Sequence, residues 1–203
     1  MTPLAAALHA LNLTPPIEET IRHFEALFQK WNRRINLSAA RTDAELQAHI
    51  IDSLQIVPRL RAEETLSSAR SSPMRILDVG AGGGLPAVIA AICLPGMHIT
   101  ALEPVHKKHA FLRTAARELS LNNLAAHAER VEDHPHHDYD ATVSRATFDL
   151  REWLLRGLDL VRPGGLVLGF EAVPRSDLPA EIQRYPYDLG DKSRAIVTLR
   201  RPA

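Results

Sequence analysis

Arg75-Ile76-Leu77-Asp78-Val79-Gly80-Ala81-Gly82-Gly83-Gly84-Leu85 is the stretch whose reading decides the fold. A short apolar run, of the length of a buried strand, passes directly into glycines, and Pro86 to Leu94 then resumes as an apolar helix. In such an arrangement a ligand meets the ends of parallel strands, and residues without a Cβ let the backbone approach it closely. The spacing is G-x-G-x-G; a dinucleotide turn, G-x-G-x-x-G, needs a third glycine where Leu85 stands, which argues against NAD. Asp78, two residues ahead of Gly80, would repel a pyrophosphate but suits a ligand carrying an ammonium and a sulfonium. Glu103 ends the next strand-like run, nineteen residues beyond Gly84, where a carboxylate can accept both hydroxyls of a ribose.

Outward from the loop, His98 to Leu102, Leu124 to His127, Ala141 to Val143 and Leu166 to Phe170 read as strands, with Ala195 to Leu199 as a last one. Val105 to Leu119 and Asp149 to Val161 read as helices, and Arg162-Pro163-Gly164-Gly165 as a turn. This alternation predicts βαβ units and a parallel sheet. Upstream, Thr14-Pro15-Pro16 is a helix start, followed at helical spacing by Ile17, Ile21, Phe24, Leu27, Phe28 and Trp31. Thr42 with Glu45 forms a capping box leading into Leu46, Ile50, Ile51 and Leu54, with a stop near Pro58. Ser67-Ser68 and Ser71-Ser72-Pro73 read as a connector. The expected organisation is a helical N-terminal segment over 1–72 and an α/β core over 73–203, folded as one compact unit.

The chain has 203 residues, 45% hydrophobic and 24% charged, with 24 basic and 24 acidic side chains. No apolar run nears the roughly 20 residues that cross a bilayer, and the N-terminus lacks a basic start and a cleavage site. A soluble, cytoplasmic domain with no membrane partner is expected. The single cysteine, Cys93, lies in an apolar stretch and reads as buried packing. His134, His136 and His137 with Asp138 lack the ligand spacing of a metal site, so no metal is expected. A zero net charge recruits no nucleic acid, so any RNA affinity must come from local clusters: Lys30, Arg33, Arg34 and Arg41 around Asn36, and Lys107, Lys108 and Arg113 after Glu103.

The loop with its downstream acid resembles class I methyltransferases. That resemblance implies a Rossmann-like α/β fold and S-adenosylmethionine as cofactor, with S-adenosylhomocysteine as product. More of the chain, namely Trp31-Asn32, Asn36-Leu37-Ser38-Ala39, His49 with Asp52-Ser53-Leu54, Asp78 to Pro86, Lys107-Lys108, Phe111-Leu112, Val131-Glu132 and Ser144-Arg145-Ala146, is similar to the RsmG (GidB) family. The family resemblance implies methyl transfer to N7 of a guanine in 16S ribosomal RNA, within the small ribosomal subunit. It places cofactor contacts at Gly80, Leu85, Val131, Glu132 and Arg145, beside the Asp78, Gly82, Gly84 and Glu103 already singled out. It points to Asn36, His49 and Asp52, with Arg145 at the mouth of the site, for the RNA, and Arg33 and Arg34 of the basic cluster join them as candidate RNA contacts. Glu171-Ala172 departs from the family's Lys-Gly pair and reverses a charge near the site; Pro86-Ala87 and His49-Ile50 are milder departures.

N7 of guanine has a lone pair and no proton, so its attack on a sulfonium methyl needs positioning and no general base. Accordingly Ser144-Arg145-Ala146-Thr147 carries no Asn or Asp followed by Pro-Pro-Tyr, and no catalytic residue is assigned. A small-molecule methyltransferase, or a cofactor-binding ribosome-assembly factor without turnover, fits the same loop.

Overall fold

The computed structural model describes residues 2–13, 15–66 and 72–203. Five parallel strands, β1 (Arg75–Val79), β2 (His98–Leu102), β3 (Leu124–His127), β4 (Tyr139–Ser144) and β5 (Val161–Glu171), are joined by an antiparallel pair, β6 (Gln183–Leu189) and β7 (Lys192–Arg200). The order is β3-β2-β1-β4-β5-β7-β6, in which β7 alone runs against the others. Strand order reverses between β1 and β4, so a crevice opens beyond their carboxyl ends. β1 is apolar except at Arg75 and Asp78 because helices cover both its faces. Between the strands lie α5 (Ala87–Cys93), α6 (His106–Glu118) and α7 (Leu150–Gly157). α5 is buried all round, as a helix apolar on every side must be. Within it Cys93 is buried, which pushes its thiol up to about 12.

Four helices precede the sheet: α1 (Pro3–Ala10), α2 (Pro15–Ile35), α3 (Asp43–Leu54) and α4 (Val57–Leu66). The capping box opens α3, with Thr42 Oγ1 accepting the Glu45 N–H (3.2 Å) and Glu45 Oε2 accepting the Thr42 N–H (3.1 Å). Ile21, Phe24 and Phe28 of α2 are buried, and Phe28 meets Phe111 of α6 edge-on at 5.7 Å between ring centroids. One apolar cluster joins Leu4, Phe24 and Ile50 to Val88, Ile76 and Ile196, so the N-terminal helices and the sheet share a core.

Two expectations need correction, and one strand was missed. The stop near Pro58 is no stop: α3 ends at Leu54 and Pro58 sits in the first turn of α4, where an N–H would have no intrahelical acceptor. The turn Arg162 to Gly165 is an irregular part of β5, with Gly164 at φ +74° and the pairing to β4 slipping between Tyr139 and Ala141. β6 went unread because its alternation is of exposed and half-buried residues, with no apolar run to mark it. Thr14, Ser67, Ser68 and Ser71, read as cap and connector, lie outside the described residues.

Candidate functional site

The glycine loop is fastened at both ends. Gly80 and Ala81 donate N–H bonds to the Leu102 carbonyl at the end of β2 (2.9 and 3.0 Å). Gly80 lies at φ +73°, and a Cβ there would fall 2.3 Å from Thr147 Oγ1. At Gly83 a Cβ would fall 2.5 Å from the Phe28 ring of α2, so the N-terminal helices press directly on the loop. Glu103 is buried; its Oε2 accepts the Gly82 N–H and its Oε1 the Val105 N–H, each at 2.8 Å. A carboxylate offers about four lone-pair positions, so two remain for a ligand. Asp78 lies 1% exposed behind the loop; its Oδ2 accepts the Ala87 N–H at 2.9 Å and its Oδ1 has no partner. Burial pushes this carboxyl up to about 7, against the opposing pull of the Ala87 N–H and the Arg145 guanidinium.

Facing the loop across a cavity of about 650 Å³ stand His49 and Asp52 of α3, Arg145 after β4, and Arg194 of β7. Asp52 is their hub at 2% exposure. Its Oδ2 accepts from Arg145 (3.2 Å), and its Oδ1 from the Tyr187 hydroxyl (2.6 Å) and from Arg194 (3.2 Å). Arg145 also donates to the Leu85 carbonyl (3.1 Å) and the His49 carbonyl (3.4 Å), tying the loop to α3. Burial and the cations Arg145 and Arg194 lower the His49 pKa, leaving a neutral imidazole at pH 7. Burial and the charge of Asp52 raise the Tyr187 phenol, which stays a donor.

Gly80, Gly82, Leu85, Glu103, His49, Asp52 and Arg145 therefore share one cavity, with Asp78 behind its wall and Gly84 packed on Val88 and Leu112. Other expected positions lie elsewhere. Val131 is buried in a second apolar cluster, in a turn after β3, and Glu132 pairs with Arg156 of α7. Arg156 covers the ring of Phe148, which does line the cavity, so the link from Glu132 is indirect. Asn36 is exposed at φ +52°, ending α2, while Arg33 and Arg34 are exposed on α2 outside the cavity. Glu171 does not face the cavity: it is 3% exposed and held by Arg184 (2.9 and 3.1 Å) and the Arg175 N–H (2.9 Å), so the charge reversal is neutralised locally. Sequence reading missed Phe28, Tyr187 and Arg194. The two-residue turn at Gly190 and Asp191, a hairpin signal, would have exposed the last two.

The family model described as GidB, rRNA small subunit methyltransferase G, matches residues 17–181, which include both walls of this cavity except β6 and β7. The chain belongs to the GidB family. Ribosomal RNA small subunit methyltransferase G of Burkholderia mallei is 42% identical over 169 residues, covering 80% of this chain and 69% of the relative. Among solved structures, TrmN from Thermus thermophilus is similar at TM-score 0.52 and 24% identity, over 70% of this chain and 47% of that one, so this chain spans about half of it. A methyltransferase from Pyrococcus furiosus gives 0.51 at 13% identity, over 70% of this chain and 82% of that one. Both likenesses concern the fold. In this GidB family member the charged hub lies on the side where β5 ends and β7 begins.

Proposed function

We propose that the chain transfers the methyl group of S-adenosylmethionine to N7 of a guanine in small-subunit ribosomal RNA. The observation that carries this reading is the single cavity joining the glycine loop and Glu103 to Arg145 and its Asp52 hub, in a chain of the GidB family. Its volume falls within the range of small-molecule sites, about 300–1,000 Å³. The wall facing β1 and β2 fits the cofactor: acceptor capacity remains on Glu103 for ribose hydroxyls, and a backbone cradle at Gly82 and Gly83 leaves no room for a Cβ at Gly83. Asp78, buried behind the loop, would when ionised lend a negative field that favours a cationic ligand in the cavity in front of it.

When bound, S-adenosylmethionine supplies a sulfonium methyl that passes to the nitrogen lone pair and leaves S-adenosylhomocysteine. The residues of the chain hold and orient. Glu103 fixes the loop through two backbone bonds, and Arg145, braced by Leu85, His49 and Asp52, presents a fixed cation between the cofactor and the substrate ends. Glu103 and Asp52 are both engaged, which accords with an acceptor that surrenders no proton. We place Val131 and Glu132 at the adenine end, and His49 and Arg145 nearest the RNA.

The deciding experiment incubates the purified protein with S-adenosylmethionine and small subunits lacking the modification, then measures nucleosides by mass spectrometry. 7-Methylguanosine is the expected product. Methyl on another nucleoside, or only on a small molecule, sinks the reading.

A further inference from the structure

Most arginines on the α7–β7 side of the molecule are spent on carboxylates: Arg156 on Glu132, Arg162 on Asp140, Arg175 on Asp149 and Arg184 on Glu171. The α2–α6 side is built differently. Among the described residues, Lys30, Arg33, Arg34 and Arg113 make no ion pair and no side-chain hydrogen bond. With a formal net charge of zero for the whole chain, this is a local cationic excess.

Two of these cations, Lys30 and Arg34, border a concavity. Between α2 and α6 lies a groove of about 380 Å³ with Leu27, Trp31 and Ile35 as apolar lining, Lys30 and Arg34 from α2, and Arg117 and Glu118 from α6. Glu118 is its one acid, already engaged by Arg117 at 2.9 Å and drawn on electrostatically by Lys30. Trp31 is half-buried, its ring leaning on Phe111 at 5.7 Å between centroids, so it is braced from below. An aromatic face fixed by the core and flanked by cations suits an unpaired base with its phosphates, since every base has a stacking face and each phosphate a charge. A protein partner would need more apolar area than the three apolar side chains of this groove offer.

We propose that this groove is a second RNA contact, outside the reaction cavity, in which Trp31 stacks on an unpaired base of the ribosomal RNA while Lys30 and Arg34 hold the flanking phosphates. It rests on the reading of the chain as a methyltransferase of small-subunit RNA. Its function is to hold the RNA from outside, leaving cofactor binding and chemistry to the cavity.

The test compares the wild-type chain with Lys30→Glu/Arg34→Glu and with Trp31→Leu, using small subunits lacking the modification. Cosedimentation reports binding without turnover, and methyl transfer gives KM and kcat. The charge pair should weaken binding and raise KM at least about tenfold, reduce the slope of log affinity against log salt by about two, and leave cofactor affinity, Tm and kcat at saturation unchanged. Trp31→Leu should cost about fivefold or more in affinity with little salt dependence. Wild-type binding and KM in the charge variant would overturn the proposal, as would a cofactor defect equal to the RNA defect. Should Trp31→Leu lower Tm, Trp31→Phe, which keeps a ring on Phe111, must recover binding. If the wild type binds subunits but methylates none, the functional reading fails while the groove is still judged by the binding of its variants.

Discussion

The two walls of the cavity are made in opposite ways. The wall under β1 and β2 comes from one short stretch, Asp78 to Leu85, plus Glu103, and its working groups are backbone N–H donors and bare Cα atoms. The facing wall gathers His49, Asp52, Arg145, Tyr187 and Arg194 from three distant segments, α3, the end of β4 and the β6–β7 hairpin, and its working groups are polar and charged side chains around one buried carboxylate. A backbone cradle tolerates little change of shape; a charged hub tolerates little change of charge.

The sharpest way to break this contrast is Asp52→Ala. It leaves Arg145 and Arg194, 16% and 25% exposed at their side chains, without their shared anion. Breaking a buried pair costs about 3–5 kcal/mol, and partial solvent access puts this case at the lower end. Chemical denaturation should register that loss with methyl transfer falling alongside it; an unchanged midpoint would mean the hub is not holding the wall.

Gly83→Ala attacks the other wall by shape alone. The added methyl meets the Phe28 ring, which α2 and Phe111 hold, so overpacking of about 1–3 kcal/mol is expected with weakened cofactor binding. Calorimetric titration with S-adenosylmethionine checks it, and the companion Phe28→Leu should recover part of the affinity.

Glu103→Gln is smaller. It removes the charge and forces the amide NH₂ against one of two N–H donors, those of Gly82 or Val105. Cofactor affinity should fall about tenfold, and because the disrupted bond lies within the protein and is worth about 1.5–3 kcal/mol, Tm should fall by several degrees as well.

The smallest expected effect is none at all. The lowered His49 pKa puts its protonation on the acid side of its ordinary range, so the imidazole stays neutral above pH 7. With no base in the chemistry, kcat at saturating cofactor should be flat between about pH 7.5 and 9. A rising limb in that window would reveal a group losing a proton in the rate-determining step.

The stretch from Arg75 to Leu85 was legible because the information is local: apolar strand, glycines at alternate positions, apolar helix. Glu103 was legible for the same reason, one strand later. β6 was not, since an edge strand exposed on one face carries no core pattern. The Asp52 hub could not be assembled from sequence either. Tyr187 is separated from Asp52 by 135 positions and Arg145 by 93, so neither spacing nor periodicity relates them. The resemblance marked Asp52 for the RNA; the tertiary structure adds that it is buried and accepts bonds from Arg145, Tyr187 and Arg194.

By itself the sequence determined the strand–loop–helix unit, the capping box of α3 and the apolar stripe of α2, because each depends on steric and hydrogen-bonding rules acting within a few residues. Only the tertiary structure decided that Phe28 limits the loop at Gly83, that Glu171 turns away onto Arg184, and that the cations of α2 and α6 meet across a groove. Those outcomes depend on which surfaces the sheet brings within a few ångströms of one another, and the order in which its strands pair sets that.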